Sequence, residues 1–166
     1  KIQFQFLHSK IKDFLYSKIN KNTIDQYHFI LANMWEEKIY ENDNAVFKIA
    51  YHYNNTKNKN KILKYNTLAY KKALSFYSLS EVAHYMLKIL NLYFENKTFN
   101  LEIINILIES SLVLQTLGKV EESFYYLNKG LKLFSKDISL EDEINILSTI
   151  GNGYYYLNDL SNALKY

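Results

Sequence analysis

Residues 101–134 contain two apolar segments of helical period, separated by Gly118. The side chains that recur at helical spacing are Ile104, Leu107, Ile108, Leu112 and Leu114 before the glycine, and Val120, Ser123, Phe124, Leu127, Gly130, Leu131 and Phe134 after it. Glycine readily takes the left-handed conformation that ends a helix, and Glu121 and Glu122 suit the positive N-terminal end of the next helix. The stretch therefore predicts a helical hairpin, with the small Ser123 and Gly130 at the seam between its two helices.

The hairpin pattern recurs along the chain. A small residue stands early in each predicted second helix, and two equal intervals of 40 residues separate Ala83, Ser123 and Ala163. Five residues before each of them stand Ser78, Gly118 and Asn158, at a turn that Gly and Asn tolerate. Because a single hairpin cannot cover its own apolar face, the pattern predicts a stack of about three hairpins.

The third copy links the pattern to a known repeat. Its first helix has Leu147, Ile150, Gly151 and Tyr154, which resembles the tetratricopeptide repeat with its large apolar residue, its Leu-Gly-like pair and its Tyr. The resemblance implies an all-α solenoid of antiparallel helical hairpins over residues 41–166, truncated at its C-terminal end. The interval exceeds the ~34 residues usual in that family, and Ser135 stands where the family often has a closing proline. We therefore expect tetratricopeptide-like hairpins with longer connections.

The N-terminal part carries a second resemblance, in three blocks of residues. They are Phe4, Phe6, His8, Ile11, Asp13 and Tyr16, then His28, Leu31, Ala32, Trp35 and Glu36, then Ile49, Ala50, His52, Tyr53, Lys61, Tyr65, Ala69 and Ala73. Their order resembles the junction in signalling ATPases of the AAA/STAND type, where the small winged-helix-like end of the ATPase module runs into helical repeats. The resemblance implies that residues 1–40 are that winged-helix-like end. Soluble adenylyl cyclases, some protein kinases and some transcription regulators share the junction.

The resemblance also sets the expected function. The Lys-, Asn-, Ile- and Tyr-rich composition of an AT-rich coding sequence favours a relative of the soluble-type adenylyl cyclases. The chain is then expected to be part of a longer protein, as a non-catalytic regulatory segment that couples ATPase and cyclase domains in cyclic AMP signalling. The alternative is a free-standing tetratricopeptide-like adaptor that binds a protein or peptide in its concave groove.

Catalysis by this chain itself is not expected. The sequence contains neither a glycine-rich phosphate loop nor paired metal-binding aspartates, so we predict no catalytic, cofactor-binding or metal-binding residue here. The parent protein would be the cyclase. The expected partner is a protein or peptide, including other domains of the same chain.

Composition and charge exclude several other classes. The net charge of +3 is too small to indicate a nucleic-acid partner. The absence of Cys excludes disulfides and thiolate zinc sites and fits a reducing compartment. No apolar run approaches the ~20 residues of a membrane span. These features predict a cytoplasmic protein without a membrane-spanning segment.

Individual side chains carry weaker signals. The four histidines are dispersed without a helical metal-binding spacing, which favours structural roles, such as hydrogen-bonded packing at helix ends, over a pH-sensing or ligand role. The acidic residues at predicted helix starts are explained by the helix dipole. Near the N-terminus, alternation at Ile2, Phe4 and Phe6 favours a short strand or an extended entry to the first helix. A following helix is predicted to pack through the apolar side formed by Tyr27, Ile30, Leu31, Met34 and Trp35.

The best candidates for a partner-binding groove are Tyr125 and Tyr155. Tyrosine combines a rigid apolar ring with a polar tip, which suits a surface that binds a peptide. Neighbouring Tyr154 fits the core of the repeat instead.

The hairpin assignment predicts which small residues tolerate no enlargement. Ala83→Phe and Ser123→Phe should each overpack a helix seam and lower the free energy of unfolding by about 1–3 kcal/mol. Thermal unfolding of both variants measures the effect. Unchanged melting temperatures for both would contradict the assignment.

Overall fold

The computed structural model describes residues 9–39 and 44–166, and within these ranges it contains nine helices and no strand. The helices are α1 Ser9–Lys18, α2 Lys21–Glu36, α3 Ala45–Asn54, α4 Lys59–Ser75, α5 Leu79–Asn96, α6 Leu101–Thr116, α7 Val120–Phe134, α8 Leu140–Tyr156 and α9 Leu160–Ala163. The all-α prediction is confirmed for this part of the chain. The short strand or extended entry predicted at Ile2, Phe4 and Phe6 lies outside the described residues.

The chain divides into two compact units, Lys1–Tyr65 and Asn66–Tyr166. The division falls within α4, so the first part of that helix belongs to the first unit and the remainder to the second. The winged-helix-like character of residues 1–40 stays a prediction.

In the first unit α2 packs against α3. The buried residues of α2 are His28 and Ala32, one helical turn apart, and Glu36 follows one turn later on the same face. The apolar side predicted for this helix is largely exposed, at Tyr27, Ile30, Leu31 and Met34. That prediction is wrong, because polar contacts from His28 and Glu36 to α3 and α4 select the packed face.

The core of the first unit comes mainly from α3. Its buried side chains are Ala45, Val46, Ile49, Ala50 and Tyr53. The Tyr53 ring stacks on that of Tyr65, with 5.2 Å between the ring centroids. Trp35 of α2 is half-buried, and Lys48 Nζ of α3 lies 4.1 Å from the centroid of its ring.

In the second unit consecutive helices pack on one another. α5 contacts α6, α6 contacts α7, α7 contacts α8 and α8 contacts α9, while α6 also contacts α8. Because the connections are short, helices that follow one another and pack together run antiparallel. The core is apolar and includes Ile89, Leu90, Phe94, Ile104, Leu107, Leu114, Leu127, Phe134, Ile146 and Ile150.

The hairpin predicted for residues 101–134 is present as α6 and α7. Gly118 has a φ of 74°, the left-handed conformation expected at the break. Gly130 faces α6 so closely that an added Cβ would overlap Leu107 Cδ2. Most of the predicted seam is buried, whereas Leu112 is exposed.

Four helices end in the same turn. A residue with positive φ follows the helix, and the next backbone N–H bonds to the carbonyl five residues earlier, which satisfies a free carbonyl of the last turn. The left-handed residues are Tyr77 after α4, Lys97 after α5, Gly118 after α6 and Asn158 after α8. The sequence placed the first of these turns at Ser78. The bond from Ser78 N–H to Ala73 O moves the left-handed position to Tyr77.

One buried amide joins three helices of the second unit. Gln115 of α6 is 2% exposed. Its Nε2 donates to Ser123 Oγ of α7 over 3.1 Å and to the Thr149 carbonyl of α8 over 2.9 Å. Ser123 is therefore both the small residue of the seam and a hydrogen-bond acceptor.

The turn after α6 requires a positive φ at residue 118, and this requirement can be tested. A Cβ added to Gly118 would meet no atom within 4 Å, so any cost of Gly118→Ala is conformational. We expect Gly118→Ala to lower the free energy of unfolding by about 1–2 kcal/mol, because alanine disfavours positive φ. Urea denaturation measures the difference.

Gly118→Asn is the matched control, since asparagine tolerates the left-handed conformation better than alanine. It should lose clearly less stability than Gly118→Ala. Equal stability of the alanine variant and the unaltered protein would show that the turn does not constrain residue 118.

Candidate functional site

The most concentrated chemistry in the first unit is a pair of histidines. His28 of α2 and His52 of α3 face each other, with 2.9 Å between their Nδ1 atoms. On the other edge of the His28 ring, Nε2 is hydrogen-bonded to the Tyr16 hydroxyl of α1. The Tyr51 ring meets both imidazoles edge-on, with centroid separations of 5.7 and 5.2 Å. The pair thus links side chains from α1, α2 and α3.

Burial governs the protonation of this pair. It lowers the pKa of His28, against a weaker opposing effect of the Asp25 carboxylate. It also lowers the pKa of His52, and the charge of a protonated His28 lowers it further. Both imidazoles are therefore predominantly neutral at pH 7, where one Nδ1–H can donate to the other Nδ1.

A partly enclosed cavity of about 370 Å³ adjoins the histidines. Its lining residues are Asp13, Tyr16, Ile24, Tyr27, His28, Leu31, Tyr51 and His52. In the part of the chain that the structure describes, no group of three His, Cys, Asp or Glu side chains is placed to hold a metal ion. What the pair can do chemically is share, gain and release a proton.

A second polar cluster surrounds Glu36 in the same unit. Lys61 Nζ donates to both carboxylate oxygens, over 2.8 Å to Oε2. The Tyr53 hydroxyl lies 2.6 Å from Oε2 and 2.7 Å from Asn33 Oδ1. Since the hydroxyl has a single proton, it can serve only one of these two acceptors at a time.

The Glu36 cluster shifts the pKa of its own members. Burial alone would raise the pKa of Glu36, but hydrogen bonds from Lys61, Tyr53 and Tyr65 outweigh it and lower the pKa to about 2. Burial and the neighbouring carboxylate raise the pKa of Tyr53. Glu36 is therefore ionised at neutral pH and joins α2 to α3 and α4.

The two predicted groove residues lie on the surface of the second unit. Tyr125 of α7 is 58% exposed, and Lys129 Nζ lies 5.3 Å from the centroid of its ring. Tyr155 of α8 is 68% exposed and lines an open cavity of about 490 Å³ together with Gly151, Leu160 and Tyr166. Tyr125 does not line that cavity. The assignment of both residues to a binding groove stays a prediction.

The remaining candidates fall where helix chemistry explains them. Glu121 and Glu122 lie in the first turn of α7, and Glu141, Asp142 and Glu143 in the first turn of α8. The Ser139 hydroxyl caps α8 by accepting from the Asp142 N–H over 3.1 Å. None of the helices in the described ranges is both long enough and apolar enough to cross a membrane.

The N-terminal sequence blocks contain the members of both polar clusters, but sequence reasoning did not predict that these side chains contact one another. His28 and His52 are 24 residues apart, beyond any spacing within one helix, so a search for metal-binding pairs does not find them. A usable signal was present in the spacing of His28, Ala32 and Glu36, which repeats every four residues. A scan for apolar side chains alone passes over such a face.

The lowered pKa of Glu36 predicts how its removal changes stability. The folded pKa of about 2 is below the ordinary value of 4.5, so the stabilisation is complete above pH 4.5 and disappears as the pH falls through 2. At pH 7, Glu36→Gln should lower the free energy of unfolding by about 1–3 kcal/mol, because charged hydrogen bonds are lost. The deficit should shrink from pH 4.5 downward.

Chemical denaturation at a series of pH values measures this deficit. The control is Glu37→Gln, which neutralises the adjacent, exposed carboxylate and should change stability by less than 0.5 kcal/mol, roughly the range of surface substitutions. If the two variants are equally stable at pH 7, the Glu36 contacts contribute nothing specific.

Comparison with known proteins gives no match for this chain among family models, curated proteins or solved structures.

Proposed function

We propose that this chain is a non-catalytic protein-interaction segment built from tetratricopeptide-like helical hairpins. The observation that carries the proposal is the succession of packed helices in the second unit, in which α6 contacts both α7 and α8. Neighbour-to-neighbour packing of this kind is what a solenoid of hairpins requires. The left-handed turns at Tyr77, Gly118 and Asn158, spaced by 41 and 40 residues, support the same interpretation.

Small residues at close helix approaches also support it. Ala83 and Ser123 are buried, at the positions equivalent to one another in the predicted repeat. In the third copy, a Cβ on Gly151 of α8 would come within 3.3 Å of the Ala163 carbonyl of α9. A small residue therefore stands at the seam position of each copy in the proposed repeat.

The partner in this proposal is a protein or peptide. Tyr125 and Tyr155 offer exposed aromatic rings on α7 and α8, and tyrosine is enriched among the residues that dominate binding energy at protein interfaces. The low net charge of +3 gives no reason to invoke nucleic acid. A cytoplasmic location is part of the proposal.

A narrower form of the proposal names the parent protein. In it, the chain is the regulatory segment of a soluble-type adenylyl cyclase, and residues 1–40 are the winged-helix-like end of its ATPase module. The order of the N-terminal sequence blocks supports this form. Exposed apolar side chains on α1 and α2, including Phe14, Ile30 and Met34, are consistent with a surface that packs against another domain of the same chain. The alternative is a free-standing adaptor.

The reading frame separates these two forms. Sequencing the transcript upstream of Lys1 should reveal a nucleotide-binding ATPase module and cyclase domains if the regulatory form is correct. A start codon just before Lys1 would remove it and leave the adaptor.

The binding proposal predicts the effect of truncating the two tyrosines. Peptides that bind the chain can be selected from a random displayed library and their affinity measured by calorimetry. Tyr125→Ala and Tyr155→Ala should each weaken a selected peptide by about tenfold or more, equivalent to 1.4 kcal/mol.

Tyr51→Ala is the matched control, because Tyr51 is similarly exposed but belongs to the first unit. Its variant should bind the same peptides with unchanged affinity. Selected peptides that bind all three variants equally well would refute the assignment of the groove.

A further inference from the structure

We propose that the His28–His52 pair is an acid-operated contact between α2 and α3. The two helices stay joined there while at least one imidazole is neutral, and the contact opens when both are protonated. This goes beyond the proposed binding function, since it concerns the first unit and a different signal.

The first step of the argument is the distance between the rings. With 2.9 Å between the two Nδ1 atoms, there is room for one hydrogen between them. A neutral pair satisfies this with one donor and one acceptor, and so does a pair with a single positive charge. A doubly protonated pair places two N–H groups against each other, so the bond is lost and two positive charges remain.

The second step is the surroundings of the pair. Among the described residues, the titratable groups that face it are Asp13 and Tyr16 of α1, Asp25 and Tyr27 of α2, and Tyr51 of α3. Asp25 acts on His28 in the direction that favours its protonation, but burial has the larger effect. The hydrogen-bond partners of His28 are a neutral hydroxyl and the second imidazole. Neither of these offsets a second positive charge.

The third step is the sign of the pH dependence. Burial lowers the pKa of both imidazoles below the ordinary value of 6.5. The unfolded chain therefore binds more protons than the folded chain as the pH falls below 6.5. The stabilisation from the pair is complete above pH 6.5 and disappears as the pH falls through the folded pKa values. Glu36 loses its stabilisation only below pH 4.5, so the two effects occupy separate ranges.

The chain contains its own reporter of this contact. Trp35 is the only tryptophan in the sequence, and it lies on α2 with Lys48 of α3 over its ring. Its fluorescence therefore reports the packing of α2 against α3.

The test is urea unfolding of the full 166-residue chain, followed by Trp35 fluorescence between pH 7.5 and 5.0. Each extra proton bound by the unfolded chain raises the unfolding equilibrium constant tenfold per pH unit. As the pH falls below 6.5, we expect the unfolding equilibrium constant to increase by nearly tenfold per pH unit. In the double variant His28→Gln, His52→Gln, the increase of the unfolding equilibrium constant per pH unit should be at least threefold smaller than in the unaltered protein. Glutamine keeps a donor and an acceptor but does not titrate in this range.

His84→Gln is the control, because His84 lies on α5 in the second unit. It should leave the pH dependence of Trp35 fluorescence unchanged. The proposal is overturned if the unaltered protein shows no such dependence, or if the double variant retains it fully.

A second measurement covers the case in which the double variant does not fold. Magnetic resonance of the imidazole C–H groups in the unaltered protein should show His28 and His52 titrating in two separate steps below pH 6.5. The amides of α2 and α3 should lose protection from hydrogen exchange with the second step. Independent titration of the two rings near pH 6.5, with unchanged protection, would equally overturn the proposal.

Discussion

The second unit depends on how its helices end. A helix leaves four carbonyls at its C-terminal end without partners, and a left-handed turn can satisfy some of these groups while the chain reverses direction. Here the left-handed residues at Tyr77, Gly118 and Asn158 do both within a few residues. The short reversal places the apolar face of one helix against the next, and burial of Leu107, Leu127 and similar side chains then stabilises the pair.

The first unit has a different basis. The face that α2 turns toward α3 contains His28, Ala32 and Glu36, so its contacts combine close approach at a small residue with directed hydrogen bonds at both ends. Such contacts are specific because an unpaired buried partner is costly. They also make the packing depend on protonation, which an interface of Leu and Ile side chains would not do.

Sequence reasoning succeeded where one local rule decides the outcome. Helical periodicity and Gly118 gave the α6–α7 hairpin, and the acidic residues of α7 and α8 were placed in first turns. It failed on α2, where apolar spacing indicated one face and polar partners on other helices selected another. It also placed the first left-handed turn one residue late, since Tyr77 has a Cβ that disfavours positive φ and gives no local signal. The His28–His52 contact joins two residues that are 24 positions apart and lie on different helices, so it depends on tertiary packing that no local pattern encodes.

Gln115 has a consequence for how the second unit comes apart. Its amide binds α7 through Ser123 and α8 through Thr149, so detachment of either helix costs Gln115 one of these two hydrogen bonds. Separation of α6 from α7 or from α8 removes a hydrogen-bond partner from the buried Gln115 amide, which is costly. In an array held only by apolar contacts between neighbours, hairpins can fray one at a time. Here the buried amide of α6 adds a polar contact to both α7 and α8, so detachment of α8 leaves part of a buried amide on α6 without its partner.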